Sequence, residues 1–193
     1  MRDRRFIAEH RGGLLPHGSH VSLARWAADC AETVIRFFEA HSNDPRPREA
    51  LMTGRRWANG EVKTGVAMKA SVAAHAAARA VADPTAVAAA RAAAQAVATA
   101  HASDHSMGAL LYSMKALEAA GMDAVGEFER QIKRLPEHLR EQVASGVTAR
   151  VNRLSIPKPK RAEQGGAGQP ATRSESDLEG GDKPQPESEG RSR

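Results

Sequence analysis

The sequence predicts an all-α fold, an alanine-rich bundle of about six or seven helices, on three observations. Alanine, the residue of highest helix propensity, fills long stretches such as AVAAARAAAQAVATA over 86–100. Runs of β-branched or aromatic residues are missing, and no period-two alternation survives more than a few residues. Apolar side chains recur instead at three- and four-residue steps.

Taken in order, an N-terminal stretch closes at the breakers Gly12-Gly13 and Pro16 to Ser19, and Ser19 is the expected cap of a first helix reaching about His41. Leu23, Ala27, Cys30, Val34 and Phe37 or Phe38 form its inward stripe. On another face Arg25 is placed to pair with Asp29, and Glu32 with Arg36, at four-residue spacing. A second helix from about Pro47 to Ala58 has Leu51 and Trp57 as anchors and ends at Asn59-Gly60. A third runs from about Thr64 to Ala82. Asp83-Pro84, a cap followed by a first-turn proline, then opens a fourth. This fourth helix either stops near Ser103 or continues to Ala120, with Gly121 the natural terminator. Residues 123–154 divide at Pro136 into two shorter, more charged helices that read as covering elements.

The third and fourth helices carry hardly a side chain above valine on their inner faces. Such a seam lets two backbones approach below the usual ~8–10 Å. Bulk must come from Trp26, Phe37, Phe38, Trp57, Leu110, Leu111, Met114 and Leu117.

From Pro157 onward the only large apolar residue is Leu178, in a segment rich in Gly, Pro, Ser and Glu. It cannot bury enough surface to offset the entropy of ordering. The domain reading is a helical domain over 1–156 and a disordered tail over 157–193.

The tail's seven basic and seven acidic side chains cancel, so the formal +5 belongs to residues 1–156. Arg2, Arg4 and Arg5, and the group Arg46, Arg48, Arg55 and Arg56 beside Trp57, are the best basic patches. Aromatics make up only 4%, too few for the stacking platforms of single-strand binders. Nucleic-acid binding is therefore a minor alternative, since charge runs are more often solvated faces. Cys30 is the only cysteine, which excludes an intrachain disulfide and a thiolate metal cage. MRDRRFIAEH lacks the apolar core of a secretory signal, and no stretch of ~18 apolar residues is present. The expectation is a cytoplasmic protein with no membrane contact.

The stretch AVATAHASDHSMGALLY over 96–112 carries the one constellation that could hold chemistry. In a continuous helix His101 lies on the inward stripe of Val87, Ala90, Ala94 and Val97, and His105 sits one turn on with Asp104 beside it. Asp29, Glu32 and His75 could approach from neighbouring helices, as in carboxylate-histidine sites of bundles. A metal set of His75, His101, His105 and Asp29, with a metal-dependent or hydrolytic activity, is therefore one alternative. Against it, Ala102 stands where a zinc-protease motif has glutamate, and no Glu-x-x-His pair of the di-iron type is present. A structural hydrogen-bond network is favoured, with Asp29, Asp104 and Tyr112 available as partners, and a ligand or partner contact is the third reading. Cys30 sits on the apolar stripe, where it acts as a small hydrophobe rather than a nucleophile. No phosphate loop or nucleophile elbow occurs. Nothing calls for a cofactor or for an enzyme.

Six strings in order, RRFIAEHRGGLL (4–15), LARWAADCAE (23–32), DPRPREAL (44–51), RWANGE (56–61), AAHAAARA (73–80) and AVATAHASDHSMGALLYSMKALEAAG (96–121), resemble the immunity-five-like family of proposed immunity proteins linked to bacterial polymorphic toxin systems. The resemblance covers about residues 4–121, is weak over 122–156 and does not reach the tail. It implies an α-helical cytoplasmic protein that binds and neutralises a cognate toxin. The positions Trp26, Asp29, Glu32, Trp57, Glu61, His75, His101 and His105 match the family pattern, without assigned roles. A +5 domain would suit an acidic toxin face.

Overall fold

The structure is a computed structural model that describes residues 3–151. The expected tail, and the end of the last helix at 152–154, lie outside the described residues. Eight α-helices follow two short 3-10 turns: α1 His17–Glu32, α2 Ile35–Glu39, α3 Arg46–Ala58, α4 Thr64–Arg79, α5 Pro84–Ala98, α6 His105–Ala119, α7 Ala124–Arg134 and α8 Glu137–Val151. Among the described residues there is no strand beyond one isolated bridge, Ala8 to Leu15.

The sequence explains most of the boundaries. Asp83 Oδ1 accepts from the Thr85 and Ala86 amides at the start of α5. Gly60 and Gly121 take positive φ (77° and 68°) just past α3 and α6. In both turns the amide three residues beyond the last helical position reaches back to close the helix, Glu61 to Arg56 and Met122 to Leu117. Pro136 separates α7 from α8.

Two expectations change, and one open alternative is decided. The first helix begins at His17, ahead of Ser19, and it breaks at Thr33-Val34 before α2. Thr33 Oγ1 donates to the Cys30 carbonyl, and the Val34 amide turns to Ala31 in a tighter bond. The break lets Val34, Ile35 and Phe38 all face inward, each 1% exposed or less. Residues 84–120 form two helices, with the turn 99–104 between them, so the two histidines do not share a helix face. The C-terminal helices do more than cover. Leu135, Leu139, Val143, Val147 and Val151 are all buried in the main core.

The core is organised around α5, which touches α1, α2, α3, α4 and α6. Ala86, Ala88–Ala90, Ala92–Ala94, Ala96, Val97 and Ala98 are all buried, which covers nearly the whole circumference. A helix apolar all round belongs inside, and one made of alanine fits there with five neighbours because its surface is thin. The large side chains come from the surrounding elements, chiefly Phe6, Leu23, Phe38, Leu51, Leu110 and Met114. The α3/α4/α5 seam is a separate small cluster of Ala50, Ala67, Ala74, Ala94, Val97 and Ala100. Here Gly54 faces Val97, and an added Cβ would lie 3.5 Å from its Cα, in ordinary van der Waals contact. Ser71 Oγ donates to the Ala94 carbonyl at 3.0 Å and ties α4 to α5. None of the helices described is long and apolar enough to cross a membrane.

Candidate functional site

The polar residues singled out by sequence do not converge on one centre. They occupy three places.

The first is a belt on α1. Asp29 is paired with Arg55 of α3 (3.1 Å) and Arg134 of α7 (3.4 Å). Glu32 is paired with Arg48 and, at 3.6 Å, with Arg55; Arg48 also reaches Glu39 at 2.8 Å. The local ladder expected from spacing does not form. Arg25 instead turns to the Ala58 carbonyl and Asn59, and Arg36 lies over the Phe37 ring. The guanidinium of Arg48 is shared between two carboxylates and holds Glu39 below the usual carboxylate range. Interhelical arginines displace the i,i+4 partners, and two of them, Arg48 and Arg55, each bridge two acids at once. Exposed pairs of this kind contribute only ~0–1 kcal/mol each, so the belt orients α1, α3 and α7 more than it stabilises them.

Trp26 lies on the buried side of the same helix, 4% exposed, and its indole N–H donates to the Gln131 carbonyl of α7 at 2.8 Å.

The second place lies at the end of α3. The Trp57 ring packs against His20 with centroids 5.1 Å apart, and its N–H donates to Thr64 Oγ1. Glu61 pairs with Arg56 and accepts from Asn59. His20 is buried, and its Nε2–H donates to the Thr99 carbonyl at 2.6 Å. His20, His101, Arg11 and Ser103 line a cavity of about 220 Å³ beneath the N-terminal segment. Arg11 donates to the His101 carbonyl, and Ser103 to that of Phe6.

The third place is a groove over the half-exposed edge of α5. That edge is the stripe Val87, Arg91 and Gln95, with α4 on one side and α6 on the other. His105 Nδ1–H donates to Gln95 Oε1 at 2.7 Å. The Gln95 side chain crosses Gly108 to get there, and a Cβ at that glycine would lie 2.5 Å from the same oxygen. The Arg91 guanidinium stands 5.8 Å above the Tyr112 ring. His75 on α4 is half-buried and feels Arg91, Arg79 and His105. Asp104, at the start of α6, is 3.9 Å from Arg150 of α8.

Asp29, His75 and His101 thus belong to different places. Among the described residues no group of three or more His, Cys, Asp or Glu is placed to hold a metal ion. Cys30 is fully buried, and burial pushes its thiol well above the ordinary range. Sequence reasoning passed over His20, Arg91 and Gln95. The last two had a signal, as the only polar side chains between Val87 and Val97, spaced one turn apart.

His20 and His75 are both held below the usual imidazole range. Burial is the main cause in each; the Thr99 bond opposes it at His20, and Arg91, Arg79 and His105 add to it at His75. Between those lowered values and the ordinary ~6.5, the unfolded chain binds protons that the folded chain does not. Stability therefore rises with pH through this window and falls as the pH is lowered. Urea midpoints should drop between about pH 8 and about pH 5.5, where carboxylates do not yet titrate. His75→Gln should flatten that slope, and an unchanged slope would show that His75 plays no part in it.

The fold and these sites define an all-α bundle wrapped around a buried alanine helix, with its polar side chains spent mainly on ties between helices. The chain belongs to the family described as "Imm-5 like putative immunity protein", which it matches over residues 13–138. The match takes in α1 to α7 and the first two residues of α8, so it reaches past the strings that carry the resemblance into α7. Neither the curated proteins nor the solved structures contain a match to the chain.

Proposed function

We propose that this protein binds and neutralises a cognate bacterial toxin by sequestration in the cytoplasm, without catalysing a reaction. The observation that carries this reading is the family match over 13–138, which spans nearly the whole bundle built on α5. The architecture supports it. A helix buried over nearly its whole circumference and a surface of interlocked ion pairs make a rigid scaffold, and rigid scaffolds bind without a large ordering cost. The formal +5 adds electrostatic steering toward an acidic partner.

Stoichiometry separates sequestration from enzymatic detoxification. The full chain, titrated against the toxin domain encoded beside its gene, should abolish toxicity at one-to-one and co-elute with it as a complex. Protection at a small fraction of an equivalent would instead show turnover. If co-expression restored growth against none of the adjacent toxins, the reading would fail.

A further inference from the structure

We propose that the groove between α4 and α6, floored by the outer edge of α5, receives an acidic segment of a partner protein, with a carboxylate side chain seated between Arg91 and Lys115. Three observations converge on it. Among the described residues Arg79, Arg91 and Lys115 are in no ion pair, whereas Arg48, Arg55 and Arg134 are each locked to carboxylates on the α1 belt. α4 and α5 carry no carboxylate, and the α6 stripe His105, Tyr112 and Lys115 has none, with Glu118 one turn past Lys115 at the end of the helix. Asp83, at the mouth, is turned to the Thr85 and Ala86 amides and to His41.

The shape agrees with the charge. A pocket of about 180 Å³ has Pro84, Val87, Ala88 and the Tyr112 ring as its apolar walls and Arg91 and Lys115 as its polar rim. An aliphatic stem ending in a carboxylate satisfies both, with the stem against the apolar walls and the charge between the two cations. On α4, Val72 is 64% exposed one turn from His75 and two turns from Arg79, which gives the contact an apolar edge. Gln95 is already fixed by His105, so the floor is set before a partner arrives.

A protein fits better than a nucleic acid. Three fixed cations fall short of the roughly six to ten phosphate contacts that sustain nucleic-acid affinity. The one aromatic face is covered by Arg91, so it offers no platform for a base.

The proposal rests on the toxin-binding reading only for the identity of the partner, and the test keeps the two apart. Full-length wild type is compared with Arg79→Glu/Arg91→Glu/Lys115→Glu, with the single variant Lys115→Glu, and with Arg4→Glu/Lys63→Glu/Lys133→Glu, which changes net charge equally elsewhere. The probes are a fluorescein-labelled glutamate-rich peptide, a labelled single-stranded oligonucleotide and the co-expressed toxin domain; thermal melting confirms folding. The groove variant should bind the peptide roughly tenfold or more weakly and lose rescue, Lys115→Glu should lie between, and the distant variant should resemble wild type. Equal peptide binding by the groove and distant variants overturns the proposal. So does a loss confined to the oligonucleotide. If the wild type rescues no toxin while the peptide contrast holds, the toxin reading falls and the groove stands as a site for an acidic segment.

Discussion

Replacing Ala90 or Ala94 by leucine should lower the stability of the fold by about 1–3 kcal/mol, the usual cost of forcing extra methylenes into a filled core. Both positions are fully buried, and they belong to different parts of the interior. Ala90 lies in the main core. Ala94 lies in the α3/α4/α5 seam, beneath Ala67 and Ala74, and its carbonyl holds Ser71 of α4. A leucine at 94 has no neighbour that can retreat, because the facing atoms are backbone and Cβ. The expected loss in melting temperature is roughly 2–12 °C for a domain of this size. Ala76→Leu, on the partly exposed side of α4, should change it little. Melting temperatures equal to wild type at both buried positions would show that the helices around α5 are less closely nested than the structure places them.

Trp26→Ala should be the more damaging change, about 3–5 kcal/mol, since it opens a large hole between α1 and α7 and strips the Gln131 carbonyl of its donor. Trp26→Phe divides the two effects: most of the packing remains while the carbonyl is left unsatisfied, at a cost of about 1–3 kcal/mol. Because the lost bond is the buried tie from α1 to α7, amide exchange should accelerate first along Ala124–Arg134. Acceleration spread evenly over all helices would instead mean that α7 does not open as a unit.

What could be read from the sequence was whatever acts within one or two turns. Asp83-Pro84, Asn59-Gly60, Gly121 and Pro136 placed their boundaries because caps and left-handed residues work on the nearest backbone amides and carbonyls. The stripe Leu23, Ala27, Cys30, Val34 and Phe38 was legible for the same reason, and all five are buried. The break at Thr33-Val34 was not, since the local pattern runs on smoothly and only the core gains from turning Ile35 and Phe38 inward together. Asp29 and Glu32 chose partners that are distant in sequence, which no spacing rule could rank above Arg25 and Arg36. Spacing alone left open whether His101 and His105 share a face of one continuous helix or are parted by a stop near Ser103. The turn at 99–104 separated them and gave His105 to Gln95.

By itself, then, the chain determined the helical class, most of the helix ends and the small-residue seam, because propensity, capping and side-chain volume are properties of single residues and their near neighbours. Only the tertiary structure decided that α5 touches five helices, that one set of arginines is consumed by the α1 belt while Arg91 and Lys115 rim a pocket with no carboxylate in its lining, and that His101 and His105 fall into separate places. These outcomes depend on which helices meet. Helices meet where burial and close packing are jointly best, a condition on the whole chain that no local segment contains.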